Sequence, residues 1–256
     1  MTLFHRDLGG SGNQPLIVLH GLLGSSRNWQ STGADLATRY HVYALDLRNH
    51  GRSPHSAEMT YAAQAADVLA WMDQQGITRS SIMGHSMGGK VAMLLACRHP
   101  ERVEKLFVVD VAPKDYGLMG HQNDFAALNE LDLRMLQSRG EAEMRFEARV
   151  PSFGMRKFLA TNLERVEETN SWRWIVNLPV LTSTLPELAK NSLLADDRFA
   201  GTTLFIVGGR SHYVEPTDYA QITTYFPQAR IEIVAGSGHN PHMDSRVEFV
   251  RLVERC

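Results

Sequence analysis

Cysteine is scarce in this chain: two residues in 256, Cys97 and Cys256. Two thiols so placed build no disulfide framework, which points to a reducing compartment. Neither sign of charge dominates, with 26 Lys and Arg against 28 Asp and Glu. That balance excludes the basic stripe of a nucleic-acid binder and the acidic tail of a solvating protein. Long apolar runs are missing too. None approaches the roughly 20 residues that a membrane-spanning helix requires. The opening MTLFHRDLGG lacks the charged-then-apolar order of a secretory signal. A soluble, cytoplasmic protein is therefore expected, with no stable membrane insertion and no nucleic-acid partner. The eleven histidines contain no ligand spacing such as H-E-x-x-H, so no metal site is expected. Nothing in the composition sets an oligomeric state.

What the chain does have is a hydrophobic share of 43%, enough for a large core, and a rhythm. Short apolar runs at LIVLH (16–20), HVYALDL (41–47), SSIMG (80–84), LFVVD (106–110), TLFIV (203–207) and RIEIVA (230–235) read as strands. Helical spacing separates them near 60–75, over 87–100, over 216–226 and in the closing DSRVEFVRLVERC. Strands alternating with helices imply an α/β fold with a mostly parallel sheet covered on both faces. Residues 116–195 break the rhythm. They are rich in Leu, Glu, Arg and Met, with helical spacing and no convincing strand. The expected organisation is a core of 1–115 and 196–256 with a helical cap, 116–195, inserted beside the site.

The strongest local signal is Gly84-His85-Ser86-Met87-Gly88-Gly89, a G-x-S-x-G match. Alone it is weak, because chance supplies roughly one such match per ten chains of this length. Its setting raises it above a glycine-rich turn with an incidental serine: SSIM supplies a strand before it and KVAMLLA a helix after it. A serine on that sharp turn is held out at the top of the sheet, beside free N–H groups at the helix start. The N–H of Met87 is then placed to stabilise an oxyanion. A second donor must converge on the same point. The loop His20-Gly21-Leu22-Leu23-Gly24 follows the strand LIVL, and Leu22 is its candidate donor.

A serine hydroxyl also needs a base, and the base an orienting partner. Gly236-Ser237-Gly238-His239 follows the strand IEIVA, which makes His239 the candidate base. His242 is the runner-up. His85 is read as filling space under the elbow and His20 as supporting the oxyanion loop.

These segments together with DLRNHGRSP (46–54), VDVAPKDY (109–116), GGRSHYV (208–214) and FPQARIEIVAGSGH (226–239) resemble the α/β-hydrolase superfamily along nearly the whole chain. More narrowly they resemble the bacterial YbfF-type esterases and their mitochondrial relatives. The resemblance implies an eight-stranded core with a helical cap after the sixth strand. It also implies cofactor-free hydrolysis of small-molecule acyl esters or thioesters, acyl-CoA among them, by a serine triad. Other chemistry on the same core, a cofactor-free haloperoxidase or a C–C bond hydrolase, is the alternative. A catalytically silent binding module is a further alternative, although a binder needs neither Ser86 nor His239.

Most members of the superfamily carry the acid in a G-x-x-D loop after the strand matching LFIV. Here that loop reads Gly208-Gly209-Arg210-Ser211, and serine carries no charge to orient a base. The strand LFVVD follows the nucleophile helix, so its end lies beside the elbow. Its last residue, Asp110, closes four apolar positions, where an acid is rarely placed unless paired. YbfF-type enzymes resemble this arrangement. Asp110 is the candidate acid, with Asp115, Asp196, Asp197, Glu215 and Asp218 as weaker ones. In the cap, Met119, Phe125, Leu128, Met144, Phe146, Phe153, Met155, Phe158, Trp172 and Trp174 are candidates for an acyl pocket. Arg27, Lys90 and Arg210 are candidates for meeting an anionic leaving group.

Overall fold

The computed structural model describes residues 1–117 and 121–256. Its strands are β1 (His5–Asp7), β2 (Gln14–Leu19), β3 (Tyr40–Leu45), β4 (Ser80–His85), β5 (Val103–Val109), β6 (Leu163–Val166), β7 (Ser171–Trp174), β8 (Thr203–Gly208) and β9 (Ala229–Val234). The α-helices are α1 (Gln30–Leu36), α2 (Tyr61–Gln74), α3 (Met87–Arg98), α4 (Gln122–Glu130), α5 (Arg139–Arg145), α6 (Phe153–Ala160), α7 (Leu178–Ala189), α8 (Tyr219–Tyr225), α9 (Pro241–Asp244) and α10 (Arg246–Glu254).

The main sheet runs β1-β3-β2-β4-β5-β8-β9, and only the β1–β3 pairing is antiparallel. Its strands are near-continuous apolar runs because both faces are covered. In β2, Ile17 and Leu19 enter one core cluster with Val68, Trp71 and Val91 from α2 and α3. Leu16 and Val18 enter the other, with Leu36 of α1 and Phe249 and Val253 of α10. Each such side chain, fully buried, contributes roughly 1.5–3 kcal/mol. Local signals end the elements where expected. The hydroxyl of Thr60 accepts the Ala63 N–H to start α2, and Gly76, at φ +68°, follows its end.

The order fixes the place of the site. From β2 the chain moves outward to β3, then returns to the other side of β2 to lay down β4 and β5. The reversal opens a crevice at the carboxyl ends of β2 and β4, where ligands bind in open α/β sheets. The parallel register sets Leu19 opposite Gly84 there, so the loop after β2 meets the turn after β4.

Two expectations change. The main sheet has seven strands among the described residues, not eight. Six are the apolar runs of the sequence, and the seventh, the polar tripeptide His5–Asp7, carries no apolar pattern and pairs at an edge. The interrupting segment accordingly follows the fifth strand in chain order rather than the sixth. That segment is not all-helical either: α4 to α7 are joined by an antiparallel hairpin, β6–β7, with Leu163 opposite Trp174. Its four-residue turn, Glu167 to Asn170, ends on Asn170 at φ +52°. The alternation in LERV and SWRW was the available signal.

Candidate active site

Ser86 stands between β4 and α3 at φ 51°, ψ −117°, a strained conformation for a non-glycine residue. The turn is tight enough that a Cβ on Gly84 would lie 2.1 Å from the Gly88 carbonyl oxygen. Glycine there is a packing requirement. Ser86 N–H donates to the Val109 carbonyl at 3.0 Å, which ties the elbow to the end of β5. Asp110 follows at once, also with φ 51°.

The Asp110 side chain is fully buried and both oxygens are engaged. Oδ2 lies 2.7 Å from His239 Nδ1 and accepts the Ser211 hydroxyl. Oδ1 accepts the Gly208 N–H at 2.8 Å. Ser211, at the position where a G-x-x-D loop would carry its acid, thus donates to the candidate acid Asp110, which follows another strand. Gly208 makes this approach possible, since a Cβ there would fall 1.9 Å from the Gly238 carbonyl oxygen in the His239 loop. Three of the weaker acid candidates are engaged elsewhere. Asp115 accepts from the Asn191 N–H, Asp197 pairs with Arg98, and Asp218 pairs with Lys114 and accepts from the Glu215 N–H.

His239 is half-buried between β9 and α9 and is held from three sides. His85 Nε2 donates to its carbonyl at 2.8 Å, and the Asp244 carboxylate accepts from the Gly238 N–H beside it. The Tyr213 ring stacks on its imidazole, 3.7 Å between centroids and 15° between planes. Tyr213 is itself positioned through its carbonyl, which accepts the Tyr116 hydroxyl at 2.6 Å. With Asp110 accepting at Nδ1–H, Nε2 is left as the basic nitrogen.

Four of the other histidines, His20, His50, His85 and His242, are structural. His242 is buried, stacks on Trp29 at 4.3 Å, and burial, followed by the nearby His239, lowers its pKa to about 3. Burial, with His239 second, keeps His85 well below the usual value. His20 Nδ1 donates to the Gly21 carbonyl and Nε2 accepts the Leu47 N–H. His50, unremarked in the sequence, accepts the Leu23 N–H at 3.1 Å and donates to the Arg48 carbonyl. Leu23 sits at φ 60°, and Asn162 Nδ2 donates to its carbonyl. Leu23 N–H is thus occupied, whereas the N–H groups of Leu22 and Met87 have no acceptor among the described residues. Arg48 and Ser53 of DLRNHGRSP bond as local supports, Arg48 to buried Asp67 at 2.6 Å and Ser53 to the Asp46 carbonyl.

Ser86 opens on two chambers. One, of about 380 Å³, is lined by Leu22, His239, Asn240, Met155, Phe158 and Met243 among others. The second, of about 300 Å³, is lined by Leu22, Met87, Tyr61, Leu185, Leu188 and Tyr213 among others. Of the cap residues singled out in the sequence, Met155 and Phe158 reach the site. Phe125, Leu128 and Phe146 pack in the core, Met144 and Phe153 are exposed, and Met119 lies outside the described residues. Arg27 and Arg210 are exposed and line neither chamber. Lys90 lines the second, but its ammonium bonds to the carbonyls of Leu188, Ala189 and Lys190 at the end of α7. Burial lowers its pKa to about 8.

Comparisons with known proteins identify the family. A family model described as the alpha/beta hydrolase fold matches residues 14–245. The chain is 37% identical to a Mus musculus protein named sn-1-specific diacylglycerol lipase ABHD11, across 99% of this chain and 84% of that one. It is 34% identical to the esterase YbfF of Escherichia coli, across 95% and 92%. A solved structure described as a marine microorganism esterase superposes with a TM-score of 0.96 at 33% identity, across 100% of this chain and 99% of that one.

Proposed function

The chain belongs to the α/β-hydrolase family and is a carboxylic ester hydrolase, and from that premise we propose that it works through an acyl-enzyme formed on Ser86. The observation that carries the reading is the 2.7 Å contact between His239 Nδ1 and buried Asp110, with Ser86 and His239 on the wall of one chamber. His239 Nε2 takes the Ser86 proton as Oγ attacks the acyl carbon. Asp110 holds the imidazole in the required tautomer and stabilises the imidazolium that forms. The N–H groups of Leu22 and Met87 receive the developing oxyanion, each worth about 2.7–4 kcal/mol of transition-state stabilisation. His239 then protonates the leaving alkoxide or thiolate, and water releases the acid by the same route in reverse.

Ser211 and Gly208 share the task of keeping the Asp110 carboxylate correctly aimed at the imidazole. The residues of 116–195 act as a cap: Met155 and Phe158 on one side and Leu185 and Leu188 on the other close the space over Ser86. The substrate is a small acyl ester or thioester with a short to medium acyl chain. The name of the mouse relative supports glycerol esters as a class to assay.

The test is a panel of p-nitrophenyl esters from acetyl to palmitoyl, with acyl-CoA and acylglycerol substrates beside it. Turnover with a burst of the first product, abolished in Ser86→Ala, is the expected result. Folded protein that turns over no member of the panel would sink the proposal.

A further inference from the structure

The two chambers meet at Ser86 but are not equivalent, and the difference lies in which of them His239 can reach. His239 lines the chamber of Met155, Phe158, Asn240 and Met243 and does not line the other. Tyr213 has the opposite distribution: it lines the second chamber and is absent from the walls of the first. Its ring covers one face of the imidazole at 3.7 Å. Tyr213 is therefore a partition, with His239 on one side and the Tyr61–Leu185–Leu188 chamber on the other. The partition is braced by Tyr116, whose hydroxyl donates to the Tyr213 carbonyl and accepts the Ala112 N–H.

Acyl transfer imposes an asymmetry on the substrate that matches this one. The imidazolium must hand its proton to the oxygen or sulfur of the leaving group, so that atom has to lie within hydrogen-bond reach of His239 Nε2. The acyl chain has no such requirement and must point away from the leaving group. We infer that the His239 chamber is the alcohol or thiol subsite and that the Tyr61–Leu185–Leu188 chamber is the acyl subsite, with Tyr213 dividing them. The inference rests on the serine-esterase reading above and adds the direction in which the substrate lies.

The chemistry of the walls agrees. The single Lys or Arg in the second chamber is Lys90, whose ammonium is already bonded to three carbonyls of α7. It is thereby spent on protein, and most of what remains to meet a ligand is the apolar surface of Leu22, Met87, Val111, Leu185 and Leu188 with the faces of Tyr61 and Tyr116, His121 and His212 adding polar edges. The Tyr61 hydroxyl is likewise committed to the Leu188 carbonyl, at 2.6 Å. The His239 chamber mixes apolar Met155, Phe158 and Met243 with hydrogen-bonding Ser152 and Asn240. Ser152, Gly154 and Met243 are exposed at its rim, so a bulky leaving group can extend to solvent. The predicted substrate has an acyl chain of limited length and a leaving group of tolerant size.

Two variants at half-buried positions separate the subsites: Leu185→Trp narrows the second chamber and Met155→Trp the first. Each is assayed with a series of acyl lengths on one alcohol, p-nitrophenol, and a series of alcohols on one acyl group, acetate. Leu185→Trp is expected to lower kcat/KM at least tenfold for octanoate and longer acyl groups, with acetate esters within threefold, since even one methylene in an apolar pocket is worth roughly 10–200-fold. Met155→Trp is expected to do the reverse, losing at least tenfold on naphthyl relative to methyl acetate while the acyl-length profile keeps its shape. Leu185→Phe and Met155→Phe repeat the comparison with a smaller change should either tryptophan variant fail to fold. Swapped effects, or unchanged profiles in enzymes that still turn over, overturn the subsite assignment and leave the esterase reading standing. A wild-type protein inactive on every ester overturns both.

Discussion

Asp110 and Ser211 come from different strands, 101 residues apart, and meet at one carboxylate oxygen. In the proposed mechanism the acid stands outside the usual loop, but the loop keeps a role: its serine hydroxyl and the Gly208 N–H both donate to Asp110. Asp110→Asn is expected to lower kcat by about 10³–10⁴-fold at pH 7.5 with little change in thermal unfolding, because the amide sets the wrong histidine tautomer. Ser211→Ala is expected to be milder. A hydrogen bond to a charged group is worth about 1.5–3 kcal/mol, so steady-state kinetics should give a loss of about ten- to a hundredfold in kcat. An unaltered kcat in Ser211→Ala would remove the serine from the account. At this scale the proposed nucleophile, acid and base, Ser86, Asp110 and His239, emerged as candidates from strand ends and glycines. Tyr213 was not, although it stands two residues beyond Ser211 in the segment that raised the question of the acid. Nothing in a sequence indicates that a tyrosine will lie flat on an imidazole.

Among the elements, the turn from β4 into α3 is the least tolerant. Gly84→Ala places a methyl carbon 2.1 Å from a backbone carbonyl oxygen that no rotamer can move. The expected outcome is a loss of at least about 2–3 kcal/mol in urea unfolding, with activity lost in the fraction that remains folded. The same helix carries Lys90, one turn on from Ser86, and its ammonium closes the carbonyl end of α7. A cation at a helix C-terminus is favoured by the helix dipole, and the Tyr116 ring lies 4.9 Å from the ammonium. Lys90→Met leaves those carbonyls unanswered. It should lower stability by about 1.5–3 kcal/mol and admit protease between residues 178 and 192, as limited proteolysis with mass spectrometry would detect. Most elements were readable because each obeys a local rule, a buried apolar run or a capped helical stripe. The β6–β7 hairpin escaped because its strands are short, half-exposed and set among helices.

For the molecule as a whole, buried histidines set the acid limit. His20, His50, His85 and His242 all have pKa values below the ordinary 6.5, burial being the first cause in each, with His50 and His242 at about 3. The unfolded chain binds protons at these positions near pH 6.5, whereas the folded chain refuses them until much lower pH. Stability is therefore full above about pH 6.5 and falls as pH drops toward 3. Each group contributes a slope of up to about 1.4 kcal/mol per pH unit. Urea midpoints measured at pH 7.5, 6.0 and 5.0 should fall in that order, within a window above the range where carboxylates titrate. His242→Gln should flatten the slope by about one proton. Equal midpoints at pH 7.5 and 5.0 would contradict the burial of these rings. No helix among the described residues is long and apolar enough to cross a membrane.

The sequence by itself determined the α/β class and supplied the candidates now proposed for the site: the elbow serine, the glycine loop for a second oxyanion donor, the late histidine and Asp110 as the acid. Each of these is a local pattern: an apolar run, a glycine pair, a polar residue where a strand stops. Only the tertiary structure decided what those residues touch. Contacts between His239 and Asp110, across 129 residues, between Lys90 and the end of α7, and between His50 and the Leu23 N–H depend on loops brought to one sheet edge by the order β2-β4-β5-β8-β9. The division of the space around Ser86 into two chambers arises the same way. Its walls come from five or more separate segments, and a cavity bounded by so many parts of the chain has no local signature in any of them.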